Sequence, residues 1–265
     1  MRFWVSMFLA IAVTLLSCSG SSEMPETETR IQGRLKLISN SKKMVKISGG
    51  TYEAFIGKDS GRIVKVPTFY LDDSPITNAE YLQFLKANPQ WAKSKVKRLY
   101  ADSTYLQHWK SDFEIPENLS PNAPVTNVSW FAAKEYAKSV GKRLPTIDEW
   151  EFVALADRKT KNASKKPEFT DFILKSYQKK DKAKQVVAQD SANYYGVHNM
   201  YGMVWEWTFD FNSVMMSGES RKDNATNDNL FCAGAAVTSS DLRNYAAFVR
   251  YALRGSLKAD YCLNN

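Results

Sequence analysis

The alternation of apolar and polar residues lays out the elements of this chain. Residues 44–52, Met-Val-Lys-Ile-Ser-Gly-Gly-Thr-Tyr, alternate and then meet paired glycines, which predicts an opening strand followed by a turn. A second extended run covers 64–71. Thr77-Asn-Ala-Glu80 has the spacing of a capping box, and Tyr81, Phe84 and Leu85 follow at helical intervals, so a first short helix begins there. From 91 to 121 no period is sustained. Tyr100, Tyr105, Trp109 and Phe113 are scattered among polar residues, and Pro116 and Pro121 break any long element, which predicts loops packed by aromatics. Ser129 caps a second helix, with Ala133, Tyr136, Ala137 and Val140 on one face and Gly141 closing it. Thr146 and Glu149 form a second capping box that opens a third helix. A short helix is expected over 170–177, and beyond Asp210 the pattern loosens, with a polar loop at 221–229.

Size and composition narrow the picture. A chain of 265 residues, 44% hydrophobic and 13% aromatic, can bury one sizeable domain, and its aromatic content suits a turn-rich core better than a helical bundle. Residues 3–16 form an apolar run behind Arg2 that is too short to span a bilayer and has the length of a signal-peptide core. It leads into Leu15-Leu16-Ser17-Cys18, which resembles a bacterial lipobox. The expected organisation is therefore a lipoprotein signal peptide at 1–17, lipid on Cys18, a flexible polar tether at 18–41 and a folded domain at 42–265. Ser19 in place of aspartate favours anchoring in the outer membrane, facing the periplasm. Cys232 and Cys262 remain in the domain, either paired in an oxidising compartment or both free. Residues 158–184 hold ten basic against three acidic side chains, net +7 out of +8 for the whole chain. This basic insertion is either a solvated surface or a contact for an anionic partner, such as lipid headgroups or an acidic protein. Export argues against nucleic acid.

The most specific chemistry lies in Gly196-Val-His-Asn-Met-Tyr-Gly-Met-Val-Trp-Glu-Trp207. Trp205 and Trp207 carry large apolar surfaces around Glu206, and a carboxylate among aromatics has to be paired, hydrogen-bonded or coordinated. The Asn199 side-chain oxygen, the Gly202 turn, the Val204 carbonyl and Glu206 together make an all-oxygen set that suits calcium. The alternative is a core carboxylate met by an arginine or by backbone amides. His108 and His198 are the two histidines of the chain, and neither has a partner at ligand spacing, so His108 is read as a packing or hydrogen-bonding residue and His198 as core.

The 196–207 stretch resembles the Asn-x-x-Gly-Asn-Val-Trp-Glu-Trp signature of the formylglycine-generating enzyme (sulfatase-modifying factor) family. Met203 stands where asparagine is usual. Val128-Ser-Trp130, Gly141-Lys-Arg-Leu-Pro-Thr146 and Glu149-Trp-Glu151 are similar to the same family, as are Gly49-Gly-Thr51 and Phe69-Tyr70. The resemblance covers about 44–265. It implies an α+β fold with little regular secondary structure, related to C-type lectins, and a structural calcium at Asn199, Gly202, Val204 and Glu206.

It also implies where catalysis should be and what is missing. Members of the family oxidise a substrate cysteine with copper held by a Cys-x-x-x-x-Cys pair, and the matching positions here fall near Asp241 and Ala246. Copper is therefore not expected. Related sulfoxide synthases hold iron with histidines, which two histidines cannot supply. Asp241, Arg243, Tyr245, Arg250 and Arg254 remain as a polar cluster that either grips a peptide or carboxylate or braces a C-terminal sheet with salt bridges. The expected function is a non-catalytic binding or maturation factor acting on a protein or peptide, and similarity to members found alongside copper nitrite reductases extends this to a periplasmic respiratory enzyme. The alternative is an oxidoreductase or protein-modifying enzyme working from a non-standard site around Cys232, Cys262, Asp241, Arg250 and Arg254.

Overall fold

A computed structural model describes residues 42–54, 63–178, 184–213 and 242–264. The signal peptide, Cys18, the tether, the polar loop at 221–229, Cys232 and Asp241 lie outside the described residues.

The first four strands are β1 (Met44–Ile47), β2 (Gly50–Glu53), β3 (Ile63–Val66) and β4 (Phe69–Asp72). β1 pairs antiparallel with β4, Met44 opposite Asp72 and Ile47 opposite Phe69. β2 pairs with β3, Gly50 opposite Val66 and Glu53 opposite Ile63. The register runs unbroken from one pair to the other, so the two ribbons are a single long hairpin, bent where Gly49 faces Pro67. A Cβ on Gly49 would lie 2.4 Å from the Val66 carbonyl oxygen, so only glycine lets the strands cross there. Pro67 has no N–H to donate, which breaks the ladder at the same level. The paired glycines thus bend a strand instead of turning the chain back.

Three capped helices follow. In α1 (Asn78–Ala87) the Thr77 hydroxyl accepts the Glu80 amide, and the Glu80 carboxylate accepts the Thr77 amide at 2.8 Å. In α2 (Trp130–Ser139) the Ser129 hydroxyl accepts the Ala132 amide, and Gly141 beyond its end takes a φ of 74°. In α3 (Ile147–Ala154) Thr146 and Glu149 repeat the box. Each cap satisfies amides that the first helical turn leaves without partners. Residues 91–121 are turns, with the short 3-10 segment Pro89–Trp91 before them. Helix α4 is longer than its expected span, covering Pro167–Gln178.

The C-terminal stretch corrects the expectation of a sheet. Leu242–Ser256 is a helix, α5, and its Ala246, Ala247, Arg250, Tyr251 and Arg254 are buried. Spacings of three and four residues put these on one helical face, a period a strand could not use.

Two apolar clusters form the core. The larger packs the hairpin against α3, α4, Tyr201 and Ala246, with Ile47, Val66, Trp150, Phe152 and Phe169 among its members. The second gathers α1, α2 and the aromatic loops around Tyr81, Phe84, Tyr105, Trp109 and Tyr136, with Cys262 in its wall. The final residues are stitched to the loops: Asp102 donates to the Asp260 carbonyl, Asn127 to Leu263 and Trp130 to Ala259. Among the described residues no helix is long and apolar enough to cross a membrane.

Candidate functional site

Residues 196–207 enter the domain as a succession of turns. Asn193 holds the entry, its side-chain oxygen accepting the amides of Tyr195 and Val197. Gly196 (φ 85°), Asn199 (φ 58°) and Gly202 (φ 76°) all take left-handed conformations. At Gly202 a Cβ would lie 2.5 Å from the Ser176 carbonyl oxygen in the last turn of α4, so this glycine is fixed by both its φ and its contact. Tyr201 is buried beneath α3 and donates to the Ala154 carbonyl at 2.6 Å.

Beyond the turns, Trp205 lies 5.1 Å from the Tyr177 ring, while Trp207 donates its indole N–H to the Val128 carbonyl and meets Phe211 edge to face. Glu206 is largely withdrawn from solvent, and its Oε2 accepts the Trp150 indole N–H at 2.6 Å. Neither an arginine nor a backbone amide supplies this contact, so an indole fills the role that the sequence left between those two. Among the described residues Glu206 makes no other hydrogen bond. Burial raises its pKa, and the Trp150 bond only partly opposes the shift. Glu206 and Val204 line a cavity of about 660 Å³ between the β1–β4 ribbon, α2 and the Trp-Glu-Trp turn. Tyr81, Tyr136, Lys142 and His198 wall its other sides. Lys142 is held there by Asp72 at 2.5 Å and by the Lys42 carbonyl at 2.9 Å.

The other two candidate calcium ligands stand apart from that cavity. The Asn199 side-chain oxygen accepts the Ala188 amide at 2.7 Å, and Gly202 packs on α4. A largely buried carboxylate with one indole partner is a group that a cation would satisfy, and the donor chemistry is all oxygen, as calcium requires. Among the described residues no three His, Cys, Asp or Glu side chains gather closely enough to hold a metal ion, so carbonyl oxygens would have to supply most of the shell.

The C-terminal candidates are brought to a different place. Glu151 of α3, 4% exposed, receives Arg250 in a two-pronged contact, Nε to Oε1 at 3.0 Å and Nη2 to Oε2 at 2.7 Å. Arg254 adds Nη1 to Oε1 at 2.6 Å. Both guanidiniums are buried and lie over aromatic rings, Arg254 5.0 Å and Arg250 5.8 Å from the centroid of Trp150. Burial alone would raise the Glu151 pKa, but the two cations outweigh it and bring the group down to about 2. Arg250 and Arg254 therefore clamp α5 to α3 and are already engaged, which leaves them no free face for a peptide. Arg243 and Tyr245 belong to the first turns of α5. Ala246, near which the second copper cysteine would fall, is 1% exposed and its carbonyl accepts from Arg250 Nη1 at 3.1 Å.

Cys262 is a free thiol, 1% exposed, whose Sγ lies 3.3 Å from the Asp260 carbonyl. Burial first, then the Asp102 carboxylate, pushes its pKa up to about 12, which leaves it a protonated and poor nucleophile. His108 has both ring nitrogens buried, and burial lowers its pKa while Asn127 beside it works the other way. His198 is not core: its Nδ1 faces Asp190 at the cavity rim. Glu151 is the site residue that sequence reading missed. Its signal was available, since a second acid follows Trp150 in a helix otherwise buried, and such a charge demands a partner.

Comparison with known proteins places this architecture. A sequence model described as "Sulfatase-modifying factor enzyme 1-like domain" matches residues 34–262. The chain belongs to that family. Its α+β fold with short strands and little regular structure is the family's. The chain is 31% identical over 163 residues to hercynine oxygenase of Mycobacterium tuberculosis, covering 55% of this chain and 38% of that protein. It thus spans well under half the length of that relative. It is 25% identical over 224 residues to the inactive C-alpha-formylglycine-generating enzyme 2 of Bos taurus, with 67% and 74% covered. The formylglycine-generating enzyme of Streptomyces coelicolor is 26% identical over 240 residues, with 71% and 72% covered. Among solved structures, the crystal structure of CarF aligns with a TM-score of 0.37 at 17% identity, over 60% of this chain and 77% of that one.

Proposed function

We propose that this chain is an exported, lipid-anchored protein whose sulfatase-modifying-factor-like domain binds or helps to mature another protein, without oxidising a cysteine. The observation that carries this reading is the fate of the segment where the family's thiols belong. Near Ala246 the chain offers a buried methyl group on a helix face that Glu151 locks in place, and soft copper chemistry has no ligand there. The thiol that is described, Cys262, is buried and protonated. Similarity to an inactive relative and to active ones at nearly the same identity is compatible with a scaffold that outlives its chemistry. The surface left for a partner is the cavity beside Glu206, and a periplasmic respiratory enzyme is one such partner.

Purified protein incubated with a cysteine-containing sulfatase peptide and copper is expected to leave the peptide mass unchanged. Conversion of that cysteine to formylglycine overturns the proposal. Calcium belongs to the same reading, held by Glu206 and the Val204 carbonyl with further carbonyl oxygens of the turn, while Asn199 and Gly202, which stand apart from the cavity, shape the turn that presents them. Added calcium is expected to raise the melting temperature of the wild-type chain and not that of Glu206→Gln. An equal response from both overturns the assignment.

A further inference from the structure

The described part of the basic insertion is a built surface. The Asp157 carboxylate accepts from the Lys159 amide at 2.8 Å, from the Thr160 amide at 2.6 Å and hydroxyl at 2.9 Å, and from Lys166 Nζ at 2.5 Å. Ala163 is fully buried, and its amide reaches the Leu155 carbonyl at 2.7 Å. The loop is thereby pinned to the end of α3, with Arg158, Lys159, Lys161 and Lys165 exposed along it. Helix α4 continues the surface. It buries Phe169, Thr170, Ile173 and Ser176, and leaves Lys175 exposed and Phe172 55% exposed. Phe172 is held in place by stacking on Phe169, centroids 6.3 Å apart. Tyr194, 47% exposed, is tied to the same loop through its amide and the Asp157 carbonyl, and Lys161 Nζ sits 5.7 Å from its ring centroid.

Electrostatically this face is one-sided. Its best-placed acid, Asp157, is consumed by Lys166, whose ammonium, helped by the Lys159 and Thr160 amides, holds its pKa far below the usual range against the opposing effect of burial. Glu168 and Asp171 are exposed on α4 and offset part of the charge. Among the described residues Arg158, Lys159, Lys161, Lys165 and Lys175 form no ion pair. Exposed cations with exposed aromatic rings beside them match a surface that is anionic outside and apolar just beneath, since ammonium stems and aromatic edges settle at that boundary.

We infer that this face rests on an anionic lipid headgroup layer. The inference depends on the reading that Cys18 carries the lipid. A polar linker of 24 residues, the spacing from Cys18 to Lys42, has a mean reach of roughly 27 Å when it behaves as a random coil, which would hold the domain within range of the headgroups and make weak cation contacts effectively intramolecular.

The test uses the full-length lipidated protein reconstituted in vesicles of phosphatidylcholine, with or without 30% phosphatidylglycerol. Lysines are acetylated under limiting reagent, and rates are read by peptide mapping. Lys159, Lys161, Lys165 and Lys175 are expected to react on the order of tenfold more slowly on the anionic vesicles, and to recover in 1 M salt. Lys95 and Lys97, exposed elsewhere, should not change. Phe172→Ala should lose part of the protection without altering the fold. Equal rates on both vesicle types overturn the inference. So does equal protection on neutral vesicles from free inorganic phosphate, which assigns a simple anion site, or from soluble polyglutamate, which assigns an acidic polypeptide. Intact mass reports acylation of Cys18 separately, so failure of the anchor and failure of the surface are told apart.

Discussion

Replacing Glu151 with glutamine tests whether the α3–α5 clamp holds the C-terminal helix. In the wild type one carboxylate faces two guanidiniums through three charge-assisted hydrogen bonds of 2.6 to 3.0 Å, all buried. Glutamine keeps the shape and one acceptor but leaves two buried cations with no counter-charge. Removing one member of such a cluster costs about 3–5 kcal/mol. In a domain of this size that lowers the melting temperature by roughly 6–20 °C. The charge count predicts an asymmetry. Arg254→Met leaves the two-pronged Glu151–Arg250 pair electrically balanced and should cost only the lost bond, about 1.5–3 kcal/mol. Urea denaturation of both variants with the wild type as reference decides the matter. The reasoning is refuted if Arg254→Met is as damaging as Glu151→Gln, because the cations would then not depend on the shared carboxylate. The pH dependence has a definite sign. Glu151 titrates at about 2 in the folded chain, below its ordinary value, so its contribution is complete above about pH 4.5 and fades as pH falls toward 2.

Other outcomes follow from single positions. Gly49→Ala drives a methyl group into the Val66 carbonyl at the hairpin bend and should destabilise by about 1–3 kcal/mol, read by thermal melting. Gly202→Ala combines a left-handed φ with a clash against Ser176 and should cost a similar amount, about 1–3 kcal/mol. Cys262, with its thiol pushed up to about 12, should resist iodoacetamide at pH 8 until the chain is unfolded, as peptide mapping would show. Trp150→Phe removes the indole donor from Glu206 and should destabilise by about 1–3 kcal/mol, an effect that added calcium would reduce if the cation takes over that carboxylate.

The helices of the N-terminal half were legible because their signals are local. Thr77 with Glu80, Ser129, and Thr146 with Glu149 each act within four residues, and every one of these caps forms as the sequence indicates. The hairpin was legible as two extended runs but not as one bent ribbon, because the need for glycine at 49 comes from the Val66 carbonyl, seventeen residues away. The C-terminal helix was missed for a related reason. Read alone, Arg243, Arg250 and Arg254 leave open both a grip on a carboxylate and a salt-bridge brace, and only Glu151, about a hundred residues earlier in the chain, makes two of them a brace, between helices and not on a sheet. The environment of Glu206 was half legible: two tryptophans beside a carboxylate signalled burial, but its partner proved to be the indole of a third tryptophan on α3.

The position of Trp150 ties these features together. Its ring lies under both clamp arginines, its N–H holds Glu206, and its edge meets Tyr201, which anchors the turn before the Trp-Glu-Trp segment. The residues that fix the cavity wall and the residues that fix α5 therefore share one side chain. A helix locked in this way cannot present its Ala246 face to a metal or a substrate without breaking the contacts that order Glu206. The order of the Glu206 turn and the burial of Ala246 are then consequences of the same packing, and a cysteine placed at Ala246 would be buried like the alanine it replaced.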